Sequence, residues 1–467
     1  MLRRIIAISV VCASLLYAES VDDALEGFGD EAAATQNETP QDPTEGFDEE
    51  ENSSIDEERL SNGFIEGLSG EIKQQFAYAL KSKNPQRDTA FNALRTTLFL
   101  DYEHKFENGW KLKTNGRAFY DWAYRQSNGY TAQERDALED EVELFDAYIE
   151  GSITDKLDFR IGRQVVVWGR SDTIRITDIL NPLDNRQPGM VDIEDLRLPV
   201  AMAKFDYYIG KWRITPIAIL EQRFTKDPPF GSPFYPSTIP LPDEKHYDDV
   251  TYALSVGAEF SGWDINFYGA HIYDDTKFIQ DPFGLNALLK HEKIDMFGTA
   301  LNILSGSWLF KSEWAYFDKL RYTMAADKKL SRLDGLVGIE YNGIADTMIS
   351  YDFSLRHFTR YDERLSIDHV DLPSGTRIEL LPVEKDTWQH ALRITSDFLN
   401  ATLHANYLIS LYGKSGDEGG YQRLWAVYDI DDRFKADAGI LDFIGGSKLF
   451  DLFKKERTVF VDLSYSF

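Results

Sequence analysis

The last ten residues, Thr458 to Phe467, place Val459, Val461, Leu463, Tyr465 and Phe467 on one face of an extended chain and mostly polar residues on the other. Such a strand, closed by a terminal aromatic, suits a wall between an apolar medium and a polar one. Lipid admits only helices or closed barrels, so this pattern, if it repeats, demands a barrel. A single alternating strand would be ordinary in a soluble sandwich. Repetition along the chain is what constrains the fold.

Alternating runs bounded by turn residues recur near 70 to 80, 91 to 106, 109 to 124, 142 to 153, 157 to 168, 199 to 208, 211 to 223, 250 to 261 and 262 to 275. They continue near 293 to 304, 307 to 318, 332 to 341, 345 to 358, 386 to 397, 399 to 411, 421 to 431, 433 to 443 and 457 to 467. Eighteen strands are thus expected, or sixteen if 70 to 80 is a plug or an N-terminal helix. Eight tight connections, such as Glu107-Asn108-Gly109, Ser261-Gly262 and Asn342-Gly343, alternate with nine longer ones. That alternation predicts an all-β, antiparallel transmembrane barrel with short periplasmic turns and long external loops.

The start of the chain fits this compartment. Arg3 and Arg4, an apolar run from Ile5 to Leu16 and Tyr17-Ala18-Glu19 read as a signal peptide over 1–18. The single cysteine, Cys12, lies within it. No later stretch reaches the roughly 18 apolar residues of a membrane helix. Residues 19–62 hold 16 acidic residues and one basic residue, and are expected to be a disordered periplasmic tail ahead of a barrel over 63–467. With a net charge of −28, nucleic acid is not an expected partner. The tail repeats an acid-flanked aromatic at Phe28 and Phe47, a candidate bivalent docking motif for a periplasmic partner.

Phase assigns faces where the register is clean. In 109 to 124, Trp110, Leu112, Ala118, Tyr120, Trp122 and Tyr124 are expected toward lipid, and Lys111, Lys113, Asn115, Arg117 and Asp121 toward the lumen. In 399 to 411, Leu399, Ala401, Leu403, Ala405, Tyr407, Ile409 and Leu411 face out, opposite Asn400, Thr402, His404, Asn406 and Ser410. Trp212, Trp263, Trp308 and Trp388 lie near strand starts, where an interfacial girdle is expected. The same phase points Arg95, Arg160, Lys204, Arg213, Arg223, Arg356 and Arg393 inward, with Asp101, Glu103, Asp158, Glu221, Asp346 and Asp352. Both signs in one lumen set a transverse field; they also permit mutual ion pairing. Arg163 breaks phase toward lipid, and a bulge at Gly162 is expected to turn it inward.

The most individual segment is Arg160-Ile161-Gly162-Arg163-Gln164-Val165-Val166-Val167-Trp168-Gly169, followed by Asn181-Pro182-Leu183-Asp184 and Ile193-Glu194-Asp195-Leu196-Arg197-Leu198-Pro199. It resembles a family of outer-membrane barrels carrying a Gly-Arg-Gln strand end, a Trp-Gly exit, an Asn-Pro-x-Asp turn and an acidic stretch before Leu-Pro. Related barrels are porin-like or alginate-export-like channels. The resemblance covers Arg160 to about Tyr208. It implies a channel or export barrel, in some cases working beside an inner-membrane exporter, and carries over neither a substrate nor catalytic positions.

Within 169–199, Arg170, Asp172, Arg175, Asp178, Asp184, Arg186, Asp192, Glu194, Asp195 and Arg197 alternate with Ile, Leu and Pro. Such a mixture suits a loop folded inward as a constriction, and equally an ordered surface loop with internal ion pairs, of which the inward fold is the expectation. A second loop, Thr225 to Asp249, contains Pro228-Pro229-Phe230-Gly231-Ser232-Pro233-Phe234-Tyr235-Pro236 and reads as a stiff external lid or a solvent-facing loop. Gly413-Lys414-Ser415 lacks the first glycine of a phosphate loop, with Leu408 in its place, and the dispersed histidines form no metal pair. The expectation is a channel for small solutes or exported cargo in a Gram-negative outer membrane, without cofactor, metal or catalysis. A scaffold docking a partner through Phe28 and Phe47, or an outer-membrane hydrolase, are the alternatives.

Overall fold

The computed structural model describes residues 67–81, 90–126, 129–190, 196–235, 241–280, 288–371, 377–454 and 456–467. Among the described residues, eighteen strands form one sheet in which each pairs antiparallel with its neighbours in the chain. Leu68–Lys81 also pairs with Arg457–Ser466, Gln74 opposite Leu463 and Phe76 opposite Val461, so the sheet closes on itself. Closure leaves no strand edge unpaired. The first strand belongs to the wall, which excludes sixteen strands. Phe467 completes the seam by exchanging backbone hydrogen bonds with Gly70.

All eighteen expected strands are present. Eight connections of two to five residues alternate with nine of seven to 35, giving a short-turn end and a long-loop end. Four strand boundaries fall short of the alternating runs by three or four residues. The third strand, Lys111–Asp121, stops where Asp121 turns its carboxyl onto the N–H groups of Leu94 and Ala123, and a short helix, Trp122–Gln126, follows. Tyr124 is therefore buried edge-on to Tyr130 in a cluster with Leu138, instead of facing lipid. The fifth and seventh strands end at Gln164 and Ile219, earlier than alternation implies. Leu403–Tyr412 begins late because Leu399, Asn400 and Ala401 take positive φ in the preceding turn.

Side-chain alternation separates the two faces. On Trp308–Leu320, Trp308, Phe310 and Trp314 are exposed on the outside, while Lys311, Glu313 and Ala315 are buried within. On Leu403–Tyr412 the inner row is Asn406, Leu408 and Ser410, all buried. Trp212, Trp263 and Trp308 ring the short-turn end, but Trp388 starts a strand running the other way and lies at the long-loop end against Phe353. Asp346, expected in the lumen, occupies a tight turn with φ of 53° and is exposed.

Val337, 51% exposed, stands mid-strand on the outer face. Val337→Arg is expected to lower unfolding free energy in a bilayer by about 2–4 kcal/mol, with Val337→Leu near neutral. Equal stability of the two variants in lipid would show that this face does not meet the hydrocarbon.

Candidate functional site

Residues 165–199 connect the fifth strand, Leu157–Gln164, to the sixth, Val200–Ile209, and the described ones among them, 165–190 and 196–199, fold into the barrel. The neck is closed by Asn181, whose amide oxygen accepts from the Val166 N–H at 2.8 Å. Its amide nitrogen donates to the carbonyls of Gln164 at 3.2 Å and Leu198 at 2.9 Å. Three chain passes are thus tied by one side chain. Asp178 makes a second tie, accepting from the Trp168 N–H at 3.1 Å and from Arg197 Nε at 2.9 Å, with Arg175 at 3.3 Å. The Asn-Pro-x-Asp and Leu-Arg-Leu-Pro elements are in this way the two sides of one buried knot.

Apolar packing holds the segment to one wall. Trp168 stacks on Tyr268 with centroids 4.6 Å apart, and Ile174, Ile176 and Leu180 bury against Val200, Met202, Ile217, Ile219, Met296 and Phe317. Each large side chain so buried contributes about 1.5–3 kcal/mol relative to exposure. Polar groups then fix the position. Glu313, 1% exposed, receives the N–H groups of Arg170 and Ser171 on one oxygen and the N–H and hydroxyl of Thr177 on the other. Ser171 and Thr173 donate their hydroxyls to Asp352 at 2.6 and 2.7 Å. Asp172 pairs with Lys311 at 2.7 Å, and Arg170 with Asp264.

The far end of the segment reaches the opposite wall. Asp184 meets Arg117 at 3.0 Å and Arg186 at 2.6 Å, and Arg186 meets Glu141 at 2.8 Å. Burial alone would raise the Asp184 carboxyl, but hydrogen bonds and charge from Arg186, then Arg117 and Lys226, hold it well below the ordinary carboxylate range. Burial would likewise lower the Arg186 guanidinium, and Asp184 and Glu141 raise it above its usual value.

Most other expected lumen cations meet acids. Lys111 lies 3.2 Å from Glu103 and 3.4 Å from Glu150, Arg160 2.6 Å from Glu150, Lys113 3.7 Å from Asp101, and Lys204 3.0 Å from Asp206. Arg213 remains half-exposed, 4.0 Å from Asp206. Arg223, past the end of its strand, pairs with Glu143 and donates to the Pro199 carbonyl, while Arg356 donates to the Arg175 carbonyl at 3.3 Å. Arg393 is 1% exposed, on the inner row of its strand with Gln389 and Ala391. Glu194, Asp195, Phe28 and Phe47 lie outside the described residues.

Two features differ from the sequence pattern. No bulge occurs at Gly162: the ladder runs unshifted through Ile161, Gly162 and Arg163, and Arg163 is neutralised by Glu221 while donating to the Leu144 carbonyl. The bulge lies in the neighbouring strand, Asp140–Thr154, where one residue is inserted between the Thr114–Ala147 and Gly116–Leu144 pairs. It sends both Phe145 and Asp146 to the inner face. The proline-rich loop also turns inward, burying Phe234 with Met190, Leu381 and Phe443.

With the segment packed mainly on one side, a cavity of about 460 Å³ remains between Val165, Gln187 and Arg197 and the inner faces of the first four strands. Lys73, Arg95, Phe99, Arg117 and Phe145 are among its walls. Glu313, Lys311 and Phe145 escaped the sequence reading. The alternation Trp308-Leu309-Phe310-Lys311-Ser312-Glu313-Trp314 would have placed the first two inside.

A family model described as "Protein of unknown function (DUF1302)" matches residues 83–467. No curated protein matches the chain. Among solved structures, OccAB3 of Acinetobacter baumannii is similar at 12% identity and a TM-score of 0.50, over 86% of this chain and 98% of that one. OpdK of Pseudomonas aeruginosa, solved with vanillate, is similar at 9% identity and a TM-score of 0.51, over 87% and 100%. At these identities the likeness is one of fold.

Glu313→Ala leaves three backbone N–H groups without their acceptor and is expected to destabilise the protein by about 2–4 kcal/mol in denaturant unfolding. A loss under about 0.5 kcal/mol would mean the attachment does not depend on it. For Asp184 the depressed carboxyl contributes stability above the ordinary value of about 4, lost as pH falls below it toward the folded value. The stability difference between the wild type and Asp184→Asn should therefore be constant above about pH 5 and shrink under acid. A difference that grows under acid would contradict the assignment.

Proposed function

The chain belongs to the DUF1302 family, and we propose that it is an outer-membrane channel of a Gram-negative bacterium, passing small solutes or exported cargo around segment 165–199. The observation that carries this reading is the uneven attachment of the segment, dense and apolar on one wall and made by the Asp184 and Arg186 ion pairs on the third and fourth strands, which narrows the lumen while leaving a charged cavity beside it. A plug fastened around its whole rim would leave no such space. Selection would follow from pore size and fixed charge, with no covalent step.

The outward row of exposed apolar residues and the aromatics at both ends support the bilayer setting. The shared fold with OccAB3 and OpdK supports a porin-like role, and the vanillate in OpdK supports small-solute passage. Residues 1–18 serve in this reading as the export signal, and 19–62 as a periplasmic tail.

Single-channel conductance in a planar bilayer tests the proposal. The full mature chain should give stable current, rising severalfold when residues 170–198 are replaced by a short linker. No current from either protein would overturn the channel reading. Current unchanged by the replacement would remove the segment as the narrowing.

A further inference from the structure

The cavity beside the segment has a composition that a mere water-filled gap does not need. The inner face of Phe91–Lys105 presents Arg95, Thr97 and Phe99 in succession, and the ladder sets Phe119 opposite Thr97 and Arg117 opposite Phe99. Cations and rings are therefore interspersed on this wall, with Phe99 paired directly to Arg117. The bulge adds Phe145, and the Arg117 guanidinium lies 4.8 Å from its centroid; that of Arg95 lies 4.0 Å from Phe119. We propose that this cavity is a binding site for small organic anions with a planar apolar body, the class of aryl carboxylates. The proposal rests on the channel reading for the route by which ligand arrives.

Charge favours an anion at Arg95 and Lys73, whose balancing acids are recessed behind them, while Arg117 keeps Asp184 of the segment on one side at 3.0 Å. The Asp121 side chain is 0% exposed where its partner Arg95 is 17%, and Asp462 is 5% where Lys73 is 40%. Asp121 binds only Nε of Arg95 and spends its other oxygen on backbone N–H groups. Of the two carboxyls in the cavity wall, Asp146 is engaged by Asn115 at 3.1 Å, and Glu71 lies one inward position nearer the short-turn end than Lys73. A carboxylate seated between Arg95 and Arg117 would accept charge-assisted hydrogen bonds while its ring packed on Phe99 and Phe145. An aliphatic acid would forgo the ring contact, and an amine would face guanidinium.

Two readouts on the full mature chain separate this site from the channel reading: calorimetric titration of the folded protein in detergent, and current interruptions in a bilayer. The probes are benzoate, acetate and benzylamine. Benzoate is expected to bind at least about tenfold more tightly than acetate, with no binding of benzylamine. Arg95→Gln and Phe99→Ala should each weaken benzoate by about fivefold to tenfold. Phe99→Ala leaves every ion pair intact and carries the test should the arginine variant misfold. Equal binding of benzoate and acetate, or binding of benzylamine, would overturn the proposal. Benzoate binding without conductance would uphold the site and sink the channel, whereas conductance without benzoate binding would do the reverse.

Discussion

One buried carboxyl organises the interior. Glu313 sits on the eleventh strand, Trp308–Leu320, and receives four hydrogen bonds from a segment more than 130 residues earlier in the chain. Buried backbone N–H groups must find acceptors, and a loop inside a barrel has no ladder to supply them. Glu313 supplies two at one bend, through Arg170 and Ser171, and a third at Thr177. Without it, residues 170–177 would leave buried donors unmet, and the apolar packing of Trp168, Ile174 and Ile176 would have no fixed register on the wall.

The asymmetry of the lumen follows from that attachment. Apolar contacts and the Glu313 and Asp352 hydrogen bonds bind the first half of the segment to the strands from Val200–Ile209 to Thr347–Arg360. Among the described residues of the segment, Asp184 and Arg186 make the ion pairs to the third and fourth strands. Space is left where contacts are fewest, and the walls there are charged and aromatic. The same arrangement explains why so many lumen cations are paired: ions in a confined, partly dehydrated interior are stable when neutralised and hydrogen-bonded.

The barrel was legible in the sequence because period-2 patterning survives along most of the strands and the turns alternate in length. For 169–199 the charges interspersed with Ile, Leu and Pro favoured an inward fold over an ordered surface loop without deciding between them. What was hidden is what depends on three-dimensional juxtaposition. The choice of wall rests on Glu313, which looks like any inward acid until the segment lies against it. The bulge at Phe145 and Asp146 is a one-residue insertion that leaves composition and local hydropathy unchanged, so the same reasoning that sought a bulge placed it one strand away. Tyr124 continued the alternation of its strand in sequence, yet Asp121 had already ended the strand by capping the turn.

The central claim is that the segment is held inside the barrel against one wall. Pulsed electron paramagnetic resonance between spin labels at Gln187, on the cavity side of the segment, and Thr97, on the wall facing it, measures this directly in reconstituted protein. A single narrow distance distribution that broadens in Glu313→Ala is the predicted result. A broad distribution extending to long distances in the wild type would place the segment outside the lumen and contradict the account.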